Sequence, residues 1–169
     1  MVSPLGRQVN RSRTGALLVS DGRDGTDSVY GVERIRFADK SLAFDVDGNA
    51  GQAFRLYQAA FSRRPDEGGL GFQMNDLDQG VTLSQVAANF LASPEFQATY
   101  GSLSDAAFVT RLYNNVLYRQ PDAGGAAYHA ARLESGVARG DILVGFSESP
   151  ENKAALVGLI ENGMVFTWG

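Results

Sequence analysis

The chain has 169 residues, of which 44% are hydrophobic, and carries a formal charge of −4 with no cysteine. Such a length and apolar content suffice for one domain with a real core, which excludes global disorder. The acidic balance argues against a nucleic-acid partner, which needs a basic stripe to neutralise phosphates, and the missing cysteines exclude disulfides and thiolate metal sites.

Residues 1–15 mix Gly, Ser, Asn and Arg without periodicity, and predict a flexible N-terminus with no apolar core of a cleaved secretory signal. Residues 16–49 predict a β lead-in. ALLVS is a short apolar run. Val32, Ile35 and Phe37 alternate with polar neighbours, as do Leu42, Phe44 and Val46. DGRDGTD and the step at 38–41 read as turns.

From residue 50 to residue 169 the pattern is helical. Phe54, Tyr57 and Phe61 stand at i, i+3, i+7, and Leu83, Val86, Ala87, Phe90 and Leu91 form an amphipathic stripe. Val109, Leu112, Tyr113 and Val116 repeat the first helix, and Leu156, Leu159 and Ile160 belong to the last. Asn162-Gly163 ends that helix, and MVFTW follows as an extended tail. No run reaches the roughly 18–20 apolar residues of a membrane span.

The helical part says nearly the same thing twice. RLYQAAFSRRPDEGG begins at Arg55 and RLYNNVLYRQPDAGG at Arg111, and the 56-residue offset holds without a gap to Lys153, with 15 of 43 aligned pairs identical. The expected fold is therefore mainly α: a duplicated multi-helix domain, two similar units of about 54–101 and 108–160 packed together, preceded by the short β segment. Each unit reads as helix, Pro-Asp turn, helix, Gly-Val turn, helix, and a short helix started by Ser-Pro-Glu. Asp66 and Asp122 are expected to cap the helices after the Pro-Asp turns. Ser93 and Ser149 are expected to cap those with Pro at the first helical position. Arg63 and Arg119 stand three residues before each Asp and can pair with it.

RLYQAAFSRRPDEGGLGF, ASPEF, FVTRLYNNVLYRQPDAGGAAY and FSESPE, in that order, resemble the bacterial domain of unknown function 4214 family. The resemblance runs from about Gly25 to the C-terminus. It implies a helical fold similar to phycobilisome linker domains, in large secreted or surface proteins that often carry repeats-in-toxin calcium repeats and leave by type I secretion. Family members usually carry an aromatic residue followed by Trp after the Gly pair; this chain has Phe72-Gln73 and Tyr128-His129 there.

Those four residues, Phe72, Gln73, Tyr128 and His129, are the candidate ligand groove, because a stacking ring beside a hydrogen-bonding side chain suits a sugar. The competing reading of the repeated aromatics, Tyr57 and Tyr113 included, is core packing. Asp45, Asp47 and Asn49 alternate around a Gly turn and are the candidate calcium ligands, although the EF-hand spacing fails at the Gly and at the twelfth place. Calcium is thus the one cofactor the residues suggest. Asp21, Asp24 and Asp27 lie in DGRDGTDSVY, where Gly25-Thr26-Asp27-Ser28-Val29 matches half of a calcium-binding nonapeptide, which needs stacked copies to work. His129 is the lone histidine and has no nucleophile motif beside it, so the chain is not expected to be an enzyme. The expected role is a non-catalytic interaction or adhesion module, outside the cell or at the bacterial surface, binding a surface glycan or an extracellular protein. The alternatives are a secretion and folding unit of a type I exported protein with calcium-assisted folding, and a small hydrolase.

Overall fold

Alternating apolar residues at the start of the chain build two small antiparallel sheets, and the 3.6-residue stripes that follow build a helical body against them. In a computed structural model of the chain, residues 8–20, 24–38 and 40–168 are described. Asp21 and its neighbours through Arg23 lie outside the described residues, as does Asp39.

The first sheet joins β1 (Gln8–Arg11), β2 (Leu17–Ser20) and β3 (Thr26–Val29) in that order. Gln8–Arg11 is therefore a strand, where the sequence predicts a flexible terminus over 1–15. Its register sets Val9 against Val19, and Ser12 closes the turn by accepting the Ala16 amide through its hydroxyl. The second sheet has the order β4 (Arg34–Arg36), β5 (Ser41–Ala43), β6 (Met164–Phe166). The MVFTW tail is thus no free extension: Leu42 faces Val165 across the ladder, and strands from before and after the helices share one sheet. Val9, Leu17, Leu42 and Phe44 form an apolar layer for these strands, with Ile35, Phe37 and Val165 packed on it.

The helical body runs through α1 (Asn49–Phe61), α2 (Glu67–Asp78), α3 (Leu83–Ala92), α4 (Pro94–Tyr100), α5 (Asp105–Val116), α6 (Ala123–Glu134), α7 (Arg139–Ser147) and α8 (Pro150–Ile160). The molecule is mainly helical with a short β segment before the helices. Six of these eight helices start at a side-chain cap, and α1 and α7 do not. The Asp66 carboxylate accepts the Gly69 amide and Asp122 the Gly125 amide, both at 2.8 Å, with Ncap dihedrals of −73°, 166° and −74°, 166°. Ser93 and Ser149 accept from Phe96 and Asn152, each ahead of a Pro at the first turn.

α1 is the central helix. It is buried almost all round and packs on α2, α3, α5, α7 and α8. Its entry is tight: a methyl group on Gly51 would stand 1.7 Å from the Val46 carbonyl oxygen, so only glycine fits. α3 lies along α7, and Leu56, Val86, Phe108, Leu112, Ile142 and Leu143 belong to one buried core drawn from α1, α3, α5 and α7. Burying each such side chain stabilises the fold by about 1.5–3 kcal/mol. The helix pairs differ in one respect. α2 buries Leu70, Gly71, Met74 and Leu77, whereas α6 buries no residue.

Candidate functional site

The two aromatic candidates stand on the outer faces of α2 and α6. Phe72 is 56% exposed and Tyr128 60% exposed, while Tyr57 and Tyr113 lie in the core. The repeated aromatics thus divide into an inner pair and an outer pair. Position on the helix makes the division: Phe72 and Tyr128 sit one step beyond Gly71 and Ala127, on the side turned from α1 and α5. Phe72-Gln73 and Tyr128-His129 are carried by separate helices. α2 packs on α1, α3 and β6, and α6 packs on α5.

Around Tyr128 the rings form a run. Tyr128 meets His129 edge-on at 5.0 Å, His129 lies 4.7 Å from Phe146, and Phe146 meets Tyr113 edge-on at 5.0 Å. The Arg132 guanidinium sits 5.6 Å from the Tyr128 ring centre and can lend it a cation–π contact. His129 points inward from this run. Burial, followed by the charge of Arg132, pushes its pKa below the ordinary histidine value, and its Nδ1 is buried without a hydrogen-bond partner. The ring has a packing role that the sequence did not announce. At the end of α1, Phe61 packs 5.0 Å from Phe90; the residue 56 places on is Leu117, and the ring against Phe146 comes from His129 instead. Gln73, at the place matching His129, is half-buried. The visible signal was the coupled change of Phe61 to Leu117 and Gln73 to His129.

The Asp45–Asn49 turn is held by ionic contacts of its own. Asp45 has a buried carboxylate that accepts the Ala50 amide at 3.0 Å and faces Arg34 at 3.3 Å. Arg34 also grips Asp78, and Asn49 donates to the same Asp78 at 2.7 Å. The Arg34 bonds hold the Asp78 carboxyl below the ordinary carboxylate range. Asp47 is exposed. The positive charge between Asp45 and Asp78 is therefore the guanidinium of Arg34, and Asp45, Asp47 and Asn49 have three different surroundings. Among the described residues no group of three or more His, Asp or Glu side chains is arranged to hold a metal ion.

Two Arg–Glu clasps join the Tyr of each RLY motif to the Glu of each SPE motif. Arg63 bonds Glu95 at 2.9 and 3.1 Å and lies 4.8 Å from the Tyr57 ring centre; Arg119 bonds Glu151 at 3.1 and 3.2 Å and lies 5.0 Å from that of Tyr113. The Asp residues of the Pro-Asp turns stand farther off, at 4.0 and 3.7 Å. Arg55 and Arg111 share their motif position and nothing else. Arg55 is 1% exposed and clasps Glu148, whereas Arg111 is exposed and lies over the Tyr100 ring. The readable signal was Glu148 itself, which aligns with Ala92.

No helix among the described residues is long and apolar enough to cross a membrane. Among curated proteins and among solved structures, none matches the chain. The model of the family described as "Domain of unknown function (DUF4214)" matches residues 87–156, the stretch from the second half of α3 into α8. Over residues 87–156, less than half of its length, the chain is thus similar to that family.

Proposed function

We propose that the chain is a non-catalytic interaction module of an exported bacterial protein. It engages a surface glycan or an extracellular protein through the outer aromatic faces of α2 and α6. The observation that carries this reading is the exposure of Phe72 and Tyr128. Each ring is more than half open beside a polar side chain, while most other repeated identities are consumed by caps, clasps and core. An aromatic face next to a hydrogen-bonding group can stack on a sugar ring or anchor a protein interface.

We also propose that the helical part arose as a duplicated unit, α1–α4 and α5–α8. The 56-residue offset and the matched Asp caps and Arg–Glu clasps support it. The alternative, a secretion and folding unit in the C-terminal part, is less supported. β6 is bound into one sheet with β4 and β5, and a piece such as 110–169 would leave those partners behind.

Glycan-array binding and cross-linking to bacterial surface proteins test the interaction reading. Binding that drops at least tenfold in Phe72→Ala or Tyr128→Ala is expected. Silence in both assays, or binding that ignores both substitutions, would sink it.

A further inference from the structure

The α1–α2 pair and the α5–α6 pair present matching grooves, and only the first is filled by described residues. In the first, β6 lies on α2. Phe166 is fully buried, Met164 is 4% exposed, and the Thr167 amide donates to the Glu67 carbonyl at 3.0 Å. A methyl group on Gly71 would stand 1.8 Å from the Thr167 carbonyl oxygen, so the glycine admits the strand's main chain. Leu70 and Met74 fill the floor and are buried.

The second groove is a cavity of about 320 Å³ lined by Val109, Thr110, Pro121, Ala126, Ala127 and Ala130, together with Asp105 and Ala106. Its walls are almost wholly apolar. Ala126 and Ala130 stand where the first groove has Leu70 and Met74, so the floor lacks the ends of two long side chains. Asp105, the one charged lining residue, is held by Arg139 at 2.6 Å. The cap geometry of the two pairs agrees to 0.1 Å and 1°. The two helix pairs thus have matching caps at their second helices, and their grooves differ in filling.

We infer that the α5–α6 groove is a docking site for an extended, uncharged segment of a partner chain that presents large apolar side chains at alternate positions. The chain's own Met164-Val165-Phe166 shows what the first groove accepts. The fit in the second groove is not a copy of the first. The methyl of Ala127 occupies the place that Gly71 leaves for a main-chain carbonyl. The docked backbone rides higher there, and its side chains reach into the space above Ala126 and Ala130. This site is separate from the exposed rings of Phe72 and Tyr128 and does not depend on them.

The test uses the full chain and a labelled peptide of residues 162–168 with capped ends. Titration followed by fluorescence anisotropy gives the affinity, and amide chemical shifts locate the site. Binding is expected, with shifts at Val109, Ala126 and Ala130. Ala130→Met, which refills the floor as Met74 does, is expected to weaken binding at least tenfold while keeping the melting temperature at or above that of the parent. Ala126→Leu serves the same purpose should Ala130→Met fail to fold. Ala127→Gly, which removes the obstructing methyl, is expected to tighten binding several-fold. The inference is overturned by no binding at millimolar peptide, by shifts confined to α2, or by an affinity unmoved by refilling. Self-association abolished by Ala130→Met without peptide binding would assign the groove to a second copy and overturn it equally.

Discussion

The guanidinium of Arg55 holds the carboxylate of Glu148 in a two-pronged clasp, Nε to Oε1 at 2.6 Å and Nη2 to Oε2 at 2.7 Å. Arg55 spends its third nitrogen on the Val46 carbonyl at 2.6 Å, and Lys153 adds a second cation to Glu148 at 3.2 Å. One side chain thus ties the β-to-helix junction, the central helix and the end of α7 together. Removing one partner leaves the other charge buried without compensation. Glu148→Ala is expected to destabilise the fold by about 3 kcal/mol, read as a shift of the urea midpoint. Arg55→Met with Glu148→Met should recover much of that loss.

Burial works against the charge of Glu148, but the Arg55 bonds and charge, joined by Lys153, outweigh it and hold its carboxyl below the ordinary glutamate value of 4.5. Asp78 is lowered in the same direction, chiefly by Arg34. A carboxylate depressed in the folded state adds stability above its unfolded pKa, and that stability fades as pH falls through the folded value. Melting temperatures are expected to drop on acidification below about pH 5, as unfolded carboxylates take up protons before the folded ones do. Glu148→Gln should flatten that drop while lowering the plateau at pH 7.

His129 acts in the same direction as the carboxylates, but at higher pH. Its pKa is depressed by burial, so the unfolded chain binds a proton before the folded one does. Stability contributed by the neutral ring is complete above about pH 6.5 and declines as pH falls toward the folded value. His129→Phe keeps a ring against Phe146 and cannot titrate. It is expected to fold at pH 7 and to lose the slope between about pH 6.5 and 5, measured by chemical denaturation at each pH.

Gly51 admits no side chain where the Val46 carbonyl crosses the first turn of α1. Gly51→Ala is expected to cost more than the gain of roughly 1 kcal/mol that alanine brings to an ordinary helix interior. A melting temperature at or above the parent's would show that the junction can move aside.

Arg34 already supplies the cation between Asp45 and Asp78. Millimolar calcium is therefore expected to leave the melting temperature unchanged. Arg34→Ala should lower it, since a buried Asp45 carboxylate then faces no opposite charge. A rise with calcium in the parent chain would assign Asp45, Asp47 and Asn49 as its ligands.

The sequence by itself determined the helices, their order and their starts, because those depend on neighbours a few residues apart. The apolar stripes, the Pro-Asp turns and the Ser-Pro-Glu steps each act within one or two turns of chain. Other features rest on residues far apart in sequence, and only the tertiary structure decided them. Packing made Arg55 a buried clasp and its motif twin Arg111 a surface residue, because Glu148 stands opposite one alone. Pairing with β5 turned the C-terminal tail into β6 and filled the α1–α2 groove. The same arrangement turned Phe72 and Tyr128 outward and set the α6 alanines along an open groove. Periodicity names the face of a helix, but only the assembled neighbours decide what that face meets.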